Sequence, residues 1–442
     1  MASLKTEKKR KPLKVAFLHP DLGLGGAERL VVDCAVGLVN NGHNVSMYTS
    51  HYEAKRSFAE TRKGLFTVQV YGDYIPRHVC QAFHIFFAMW RNVWLATRVG
   101  LLLETFDVFF VDQVSICVPV LRFFSPDTKI LFYCHFPDQL LSPRTSLFKS
   151  LYRYPFDFIE EVTTGLADMV VVNSEFTQGV YKRTFQRISR APGVLYPCVP
   201  LNPVIDLPGR SNTWKNNELV FLSINRFERK KAIHLAIEAL VELRKNILGD
   251  RKFEKLKIRL VIAGGYDDRV QENVEHYKEL QKIATDGNVM DCITWKRAFS
   301  DEEKVALLAD ATAVLYTPTN EHFGIVPVEC MAACKPVIAC ASGGPLESIV
   351  DGKTGFLCDP EGVSFAKAMM RLIENPDMTK TMGAAGRKRV ETMFSRESLG
   401  KKLDDLLLDL TTNPPKRLVS IRDLFFRVFF LAAALCVAFC TR

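Results

Sequence analysis

The chain has 442 residues, 48% of them hydrophobic and 24% charged, the balance of a folded protein long enough for two or three domains with real cores. Its net charge of +9 sits at the two ends, +5 in residues 1–14 and +4 in residues 413–442, leaving the body neutral. A neutral body argues against nucleic acid as a partner, and basic ends suit an anionic membrane face.

In chain order, residues 1–13 form a basic arm. Its run Lys8-Lys9-Arg10-Lys11 reads equally well as membrane-facing or as simply solvated. A basic start leading to a short strand is not a secretory signal. Residues 15–19 predict the first strand. Gly23-Leu24-Gly25-Gly26-Ala27-Glu28 joins it to a helix beginning near Ala27. The loop lacks the spacing of a dinucleotide fingerprint and the Gly-Lys-Ser/Thr of a Walker loop. It is either a tight turn or a place where backbone approaches an anion or a sugar. Residues 45–49 predict a buried strand, which discounts the formal glycosylation sequon at Asn44. Phe83, Phe86, Phe87, Trp90, Trp94 and Leu101 share one helical face bordered by His84, Arg91 and Arg98. That stripe is either an interfacial helix or a core-facing one.

Runs at 108–111, 130–134 and 169–172 complete a first set of strands. His135, with Pro137 and Asp138, follows the apolar run 130–134 and could bond a sugar hydroxyl or relay a proton; a structurally bonded ring is the alternative. A boundary rich in Pro, Asn and Gly falls at 197–217. Runs at 219–224, 259–263, 293–295, 313–316 and 337–341 predict a second set. Many of these runs are continuously apolar, as strands covered on both faces are. With helices between them they predict an α/β protein of two doubly wound domains with parallel sheets. The domains span 14–198 and 218–412, with a linker at 199–217. Ligands bind beyond the carboxyl ends of such strands. There stand His19-Pro20-Asp21, Asp112-Gln113, Asn173-Ser174, Asn225-Arg226, Gly264-Gly265 and Tyr316-Thr317-Pro318, so the two domains are expected to face each other across a cleft.

Two constellations carry chemistry in the second half. Arg226-Phe227-Glu228-Arg229-Lys230-Lys231 places cations after a strand end, where Arg forks onto phosphate and Lys acts as a point charge. Asn320-Glu321-His322-Phe323-Gly324-Ile325-Val326-Pro327-Val328-Glu329 predicts a loop and then a helix beginning at Pro327, with Glu329 in its first turn. Phe323, Gly324, Ile325 and Val326 would offer N–H groups at a positive helix end. A carboxylate, an anion cradle and a second carboxylate are what a nucleotide-activated sugar needs. A glycosidase pair would face at about 5–10 Å, whereas eight helical residues span about 12 Å.

The twelve cysteines include no C-x2-C pair, and several lie in apolar runs, so reduced buried thiols in the cytosol are expected. The tail 413–442 is basic and then apolar. Val428–Cys440 gives about 20 Å of helix, short for a span of about 30 Å, so a membrane-dipping tail or a marginal anchor is expected. Its final Phe439-Cys440-Thr441-Arg442 is not a prenylation box.

The segments FLHPDLGLGGAERL (17–30), ILFYCHFPD (130–138), SINRFERKK (223–231), AGGYDDRVQENVEHYKEL (263–280) and YTPTNEHFGIVPVE (316–329) resemble the retaining family-four glycosyltransferases. Within that family they look like its α-1,3/1,6-mannosyltransferase branch, which serves asparagine-linked glycan assembly. The resemblance implies two facing Rossmann-like domains (the GT-B type), the first acceptor-side and the second binding the nucleotide sugar. It implies GDP-mannose as donor and a dolichol-diphosphate oligosaccharide as acceptor, at the cytosolic face of the endoplasmic reticulum membrane. It also implies partnership with other glycosyltransferases of that pathway, and neither metal nor cofactor. By position, Glu321 and His135 would meet the mannose and Glu329 the ribose. Arg226 and Lys231 would bind the diphosphate, with Gly25 and Gly26 on its other side and Phe323, Gly324 and Ile325 at the donor. The family's usual glycine after the second cation is Ala232 here. A different nucleotide-sugar transferase and a non-catalytic membrane scaffold are the rivals.

Overall fold

The computed structural model describes residues 11–78, 84–141, 146–201 and 218–414. The arm 1–10, Phe83, most of the linker and the apolar tail therefore lie outside the described residues. The chain divides into two compact units. Among the described residues, the first takes those up to Asn173, Thr177–Leu195 and those from Leu399 onward; the second takes Ser174–Phe176 and those within Tyr196–Ser398.

Among the described residues the first unit holds seven strands: β1 (Lys14–His19), β2 (Asn44–Thr49), β3 (Thr67–Val70), β4 (Val108–Asp112), β5 (Lys129–Cys134), β6 (Met169–Val172) and β7 (Gly193–Val194). Their order is β3-β2-β1-β4-β5-β6-β7, and every pairing is parallel. The second unit holds β8 (Glu218–Ile224), β9 (Lys257–Gly264), β10 (Ile293–Arg297), β11 (Ala313–Tyr316), β12 (Val337–Cys340) and β13 (Gly355–Cys358). Their order is β10-β9-β8-β11-β12-β13, again wholly parallel. Each order reverses once, at β1/β4 and at β8/β11. Such a reversal opens a crevice beyond the carboxyl ends of the central strands.

The apolar runs are strands because both of their faces are covered. In β8, Leu219 and Phe221 enter one core while Val220, Leu222 and Ile224 enter another. The same alternation divides Leu260 and Ile262 from Val261 and Ala263, and Ile338 and Cys340 from Val337 and Ala339. Successive side chains point to opposite faces, so a continuous apolar run feeds two layers of helices. In the first unit Phe17 and Phe110 stack at 4.5 Å between ring centroids across β1 and β4.

Three strands escape the sequence pattern. β3 is a short, half-exposed edge and β7 has two residues. β13 begins at Gly355, where a Cβ would lie 2.1 Å from the Val337 carbonyl oxygen. The second domain, expected to run to 412, ends at Ser398. The helix Arg396–Thr412 joins the first unit from Leu399 onward. Gly400 permits this, since a Cβ there would stand 2.9 Å from Gly37 Cα, and His43 Nε2 meets Asp404 Oδ1 at 2.9 Å. Asn44, expected in a buried strand, is the exposed first residue of β2.

The aromatic stripe lies on the helix His84–Gly100. Arg91, Asn92, Leu95, Ala96 and Val99 form its buried face, leaving Phe86 51% and Trp90 49% exposed. Of the two readings of the stripe, the core-facing one fails for these two residues. Trp94 is half-buried against Tyr74. Arg91 does not border the stripe: its guanidinium is buried and donates to the Ser50 carbonyl at 3.1 Å. Among the described residues no helix is long and apolar enough to cross a membrane, and every described cysteine is a free thiol.

Candidate active site

In the second unit the predicted residues gather at the β8/β11 reversal. After β8 the chain makes a tight approach to β9: a Cβ on Gly264 would lie 1.6 Å from the Asn225 carbonyl oxygen. Only glycine allows the two strand ends to meet this closely. Arg226 follows, 63% exposed at its side chain and paired with Glu228 at 3.0 Å. The cationic run then splits. Arg229 turns to Glu275 and Glu279, and Lys230 turns to Glu228. Lys231 alone points to the predicted carboxylate, its Nζ 2.5 Å from Glu321 Oε1. Thr317, just beyond β11, steadies it by donating to the Lys231 carbonyl at 2.8 Å. The pair is mostly buried, so it is weakly screened.

Ala232 closes the 3-10 turn Arg229–Lys231 at φ 47°, ψ 39°, left-handed space where a Cβ costs about 1–2 kcal/mol. Glycine would adopt it freely. Ala232→Gly is therefore expected to raise stability by up to about 1 kcal/mol, a rise in melting temperature of about 2 °C. Thermal melts of the two proteins check this; an unchanged or lower melting temperature contradicts it.

The glutamate loop is gripped from behind by Gly343 and Gly344, which the sequence reading missed. Gly343 has φ +65° and faces Glu321 backbone, while a Cβ on Gly344 would sit 2.0 Å from the Phe323 carbonyl oxygen. Gly344 N–H donates to the Glu321 carbonyl at 2.9 Å. The helix that follows is Ile325–Ala332, with Gly324 as N-cap at φ 73°. It starts two residues before Pro327, because Gly324 supplies the left-handed turn that lets the chain enter early. Pro327 is then the third helical residue, where a missing N–H still costs nothing, and Glu329 falls in the second turn. Gly324, Ile325 and Val326 keep their place at the positive end.

Glu329 has its own cation. Lys304 Nζ lies 2.7 Å from Glu329 Oε1, on the helix Asp301–Asp310. That helix starts at a capping box, Ser300 with Glu303, an S-x-x-E pattern that the sequence analysis did not pick out; its meeting with Glu329 depends on the fold.

In the first unit His19 ends β1, Asp112 ends β4 and His135 follows β5. Register puts them together: Leu18 pairs with Val111, and Asp112 with Tyr133. Asp112 is fully buried and bonds both rings, His19 Nδ1 at 2.8 Å and His135 Nε2 at 3.1 Å. Glu28 Oε1 stands 3.8 Å from His19 Nε2, an ion-pair distance too long for a hydrogen bond. Burial by itself would lower the pKa of His19; Asp112 and Glu28 outweigh it and push the pKa up to about 10. Burial would likewise raise Asp112, but the two histidines hold it below its ordinary value. Gly25 is the N-cap of the helix Gly26–Asn40. The Glu28 carboxylate folds over it, so that a Cβ there would lie 2.2 Å from Glu28 Oε2; Gly26 is open. The loop after His135 is tied by Glu160, which accepts from Asp138 N–H at 2.7 Å and Gln139 N–H at 3.1 Å. Burial raises its pKa to about 7.

The chain is similar to known proteins over most of its length. Residues 24–202 match Glycosyltransferase Family 4 and residues 209–389 match Glycosyl transferases group 1. The chain is 48% identical over 403 residues to the human alpha-1,3/1,6-mannosyltransferase ALG2, covering 88% of this chain and 94% of that protein. It is 43% identical over 420 residues to the Dictyostelium discoideum protein of the same name, covering 91% and 100%. The chain belongs to the α-1,3/1,6-mannosyltransferases. It is an enzyme of the family-four glycosyltransferase class. Its fold is shared with sucrose-phosphate synthase from Thermosynechococcus elongatus at a TM-score of 0.67 and 20% identity, over 90% of this chain and 99% of that one.

Of the predicted residues, the structure joins Lys231 to Glu321 and sets the Gly324–Ile325 helix entry directly after them. It leaves Arg226 exposed at the neighbouring strand end. Glu329 is held apart from Glu321, on Lys304. The residues that sequence reasoning missed are Asp112 as a partner of His135, together with His19, Glu28, Lys304 and Gly343-Gly344. Asp112 and His19 carried one signal, their place at strand ends.

Proposed function

We propose that this mannosyltransferase takes mannose from GDP-mannose and adds it to a dolichol-diphosphate-linked chitobiose carrying one mannose, then to the two-mannose product. The linkages would be α-1,3 and α-1,6. The observation that carries this reading is the Lys231–Glu321 pair at 2.5 Å beside the Gly324 helix entry, in a chain of this family. Lys231, with Arg226, would take up the negative charge of the departing GDP. The N–H groups of Gly324 and Ile325 would receive phosphate oxygen. Glu321 would hold the mannose and Glu329 the ribose. With the leaving group stabilised on one face, the acceptor hydroxyl attacks from that same face and configuration is retained. Stabilising the leaving group is the largest contribution in this scheme. It assigns no step to a metal or cofactor.

The acceptor's lipid requires the enzyme at a membrane, proposed as the cytosolic face of the endoplasmic reticulum. Exposed Phe86 and Trp90 support membrane contact, since such rings settle among headgroups. Partnership with other transferases of the pathway belongs to the same reading.

The test is transfer from GDP-mannose to the lipid-linked acceptor in vesicles, with a metal chelator present and linkage analysis of the product. Expected are two mannoses, one α-1,3 and one α-1,6, at a rate the chelator does not change. The variant Phe86→Ser with Trp90→Ser should slow transfer in vesicles while sparing a short-chain, water-soluble acceptor. Transfer from UDP-glucose in preference to GDP-mannose would overturn the donor assignment, and absence of any transfer would favour a scaffold.

A further inference from the structure

We propose that Asp112 is a positioning residue for His135: it fixes the ring so that Nδ1 is the hydrogen-accepting nitrogen, and His19 holds Asp112 from the other side. The proposal rests on the reading of His135 as a sugar-facing group and adds the atoms that orient it.

An ionised carboxylate only accepts hydrogen bonds. Asp112 Oδ1 receives His19 Nδ1 at 2.8 Å and Oδ2 receives His135 Nε2 at 3.1 Å, so both of those nitrogens carry hydrogen. The two rings then differ. His19 has no exposed side-chain surface, and its Nε2 faces a second carboxylate, Glu28 at 3.8 Å. A ring between two carboxylates is set up as an imidazolium, with hydrogen on both nitrogens and Nδ1 bonded to Asp112. His135 has one carboxylate, and its side chain is 24% exposed. Its Nδ1 has no hydrogen-bond partner among the described residues. With Nε2 bound to hydrogen, the neutral ring leaves Nδ1 bare, and a bare ring nitrogen accepts from a hydroxyl.

The orientation is held from further sides. Tyr133 and His135 have ring centroids 4.7 Å apart, and Asn173 Nδ2 donates to the His135 carbonyl at 3.0 Å. His19 supplies the positive charge that keeps a carboxylate ionised where no water reaches it; removing one partner of a buried pair leaves the other uncompensated. The group so served is a hydroxyl, of the transferred hexose or of the acceptor sugar.

The first measurement is nitrogen NMR of the histidine rings in the intact enzyme. His135 is expected as the tautomer with hydrogen on Nε2; hydrogen on Nδ1 would overturn the proposal with no variant made. The second is steady-state kinetics of Asp112→Asn, His135→Ala and the two combined. An asparagine can donate as well as accept, so it no longer dictates the tautomer. Asp112→Asn should lower kcat about 10²-fold with KM for GDP-mannose unchanged. The combined variant should be no slower than His135→Ala alone, since Asp112 acts through that ring. Losses that multiply, or full turnover in Asp112→Asn beside a crippled His135→Ala, would overturn the positioning role. Full turnover in His135→Ala would instead overturn the sugar-facing reading, while the ring spectra of Asp112→Asn still report whether Asp112 sets the tautomer. Because Asp112→Asn strands the His19 charge, His19→Gln with Asp112→Asn is the companion variant. It should melt like the parent and show the same loss in kcat.

Discussion

Replacing Lys231 with alanine should lower kcat/KM by about 10²- to 10³-fold, the cost of removing one preorganised charge from a transition state. Two features make Lys231 the stronger of the paired cations. It is mostly buried against Glu321 at 2.5 Å, and its carbonyl is pinned by Thr317. Arg226 is 63% exposed at its side chain and shared with Glu228, so Arg226→Ala should cost less. Lys231→Arg should also be impaired, because a planar fork does not replace a point charge in a tight turn. Steady-state kinetics with GDP-mannose decide the matter. Lys231→Ala at parental efficiency would remove the residue from the site.

The two glutamates should fail in different ways. Glu329→Ala should weaken GDP binding itself, because Glu329 is assigned to the ribose and is held for it by Lys304 at 2.7 Å. Glu321→Ala should leave GDP binding intact or tighter, since it frees Lys231 from its carboxylate partner, while turnover falls by about 10²-fold. Calorimetric titration of GDP against both variants, beside turnover of each, separates the roles. A Glu321→Ala protein that has lost GDP, beside a Glu329→Ala protein that keeps it, would mean that the two assignments are exchanged.

Much of the local structure of the candidate site was legible because its residues are neighbours in sequence. Glu321, Phe323, Gly324, Ile325 and Glu329 lie within nine positions, and a helix entry is a local event. The cation run after β8 was legible for the same reason, but its division was not. Nothing local distinguishes Lys230, which turns to Glu228, from Lys231, which turns to Glu321. The deciding carboxylate lies 90 positions away.

The sequence by itself determined the two parallel α/β domains, since continuous apolar runs between helical stretches admit few other arrangements. It also determined the family, through long motifs at strand ends. Tertiary structure alone decided what those ends meet. The helix Arg396–Thr412 shows a helical period that says it is amphipathic but not which core it faces; Gly37, Gly400, His43 and Asp404 settle that across more than 350 positions. The Asp112 network likewise depends on the parallel register of β1, β4 and β5. Periodicity is written in neighbouring residues, whereas register and ion pairing are chosen by the folded chain among distant ones.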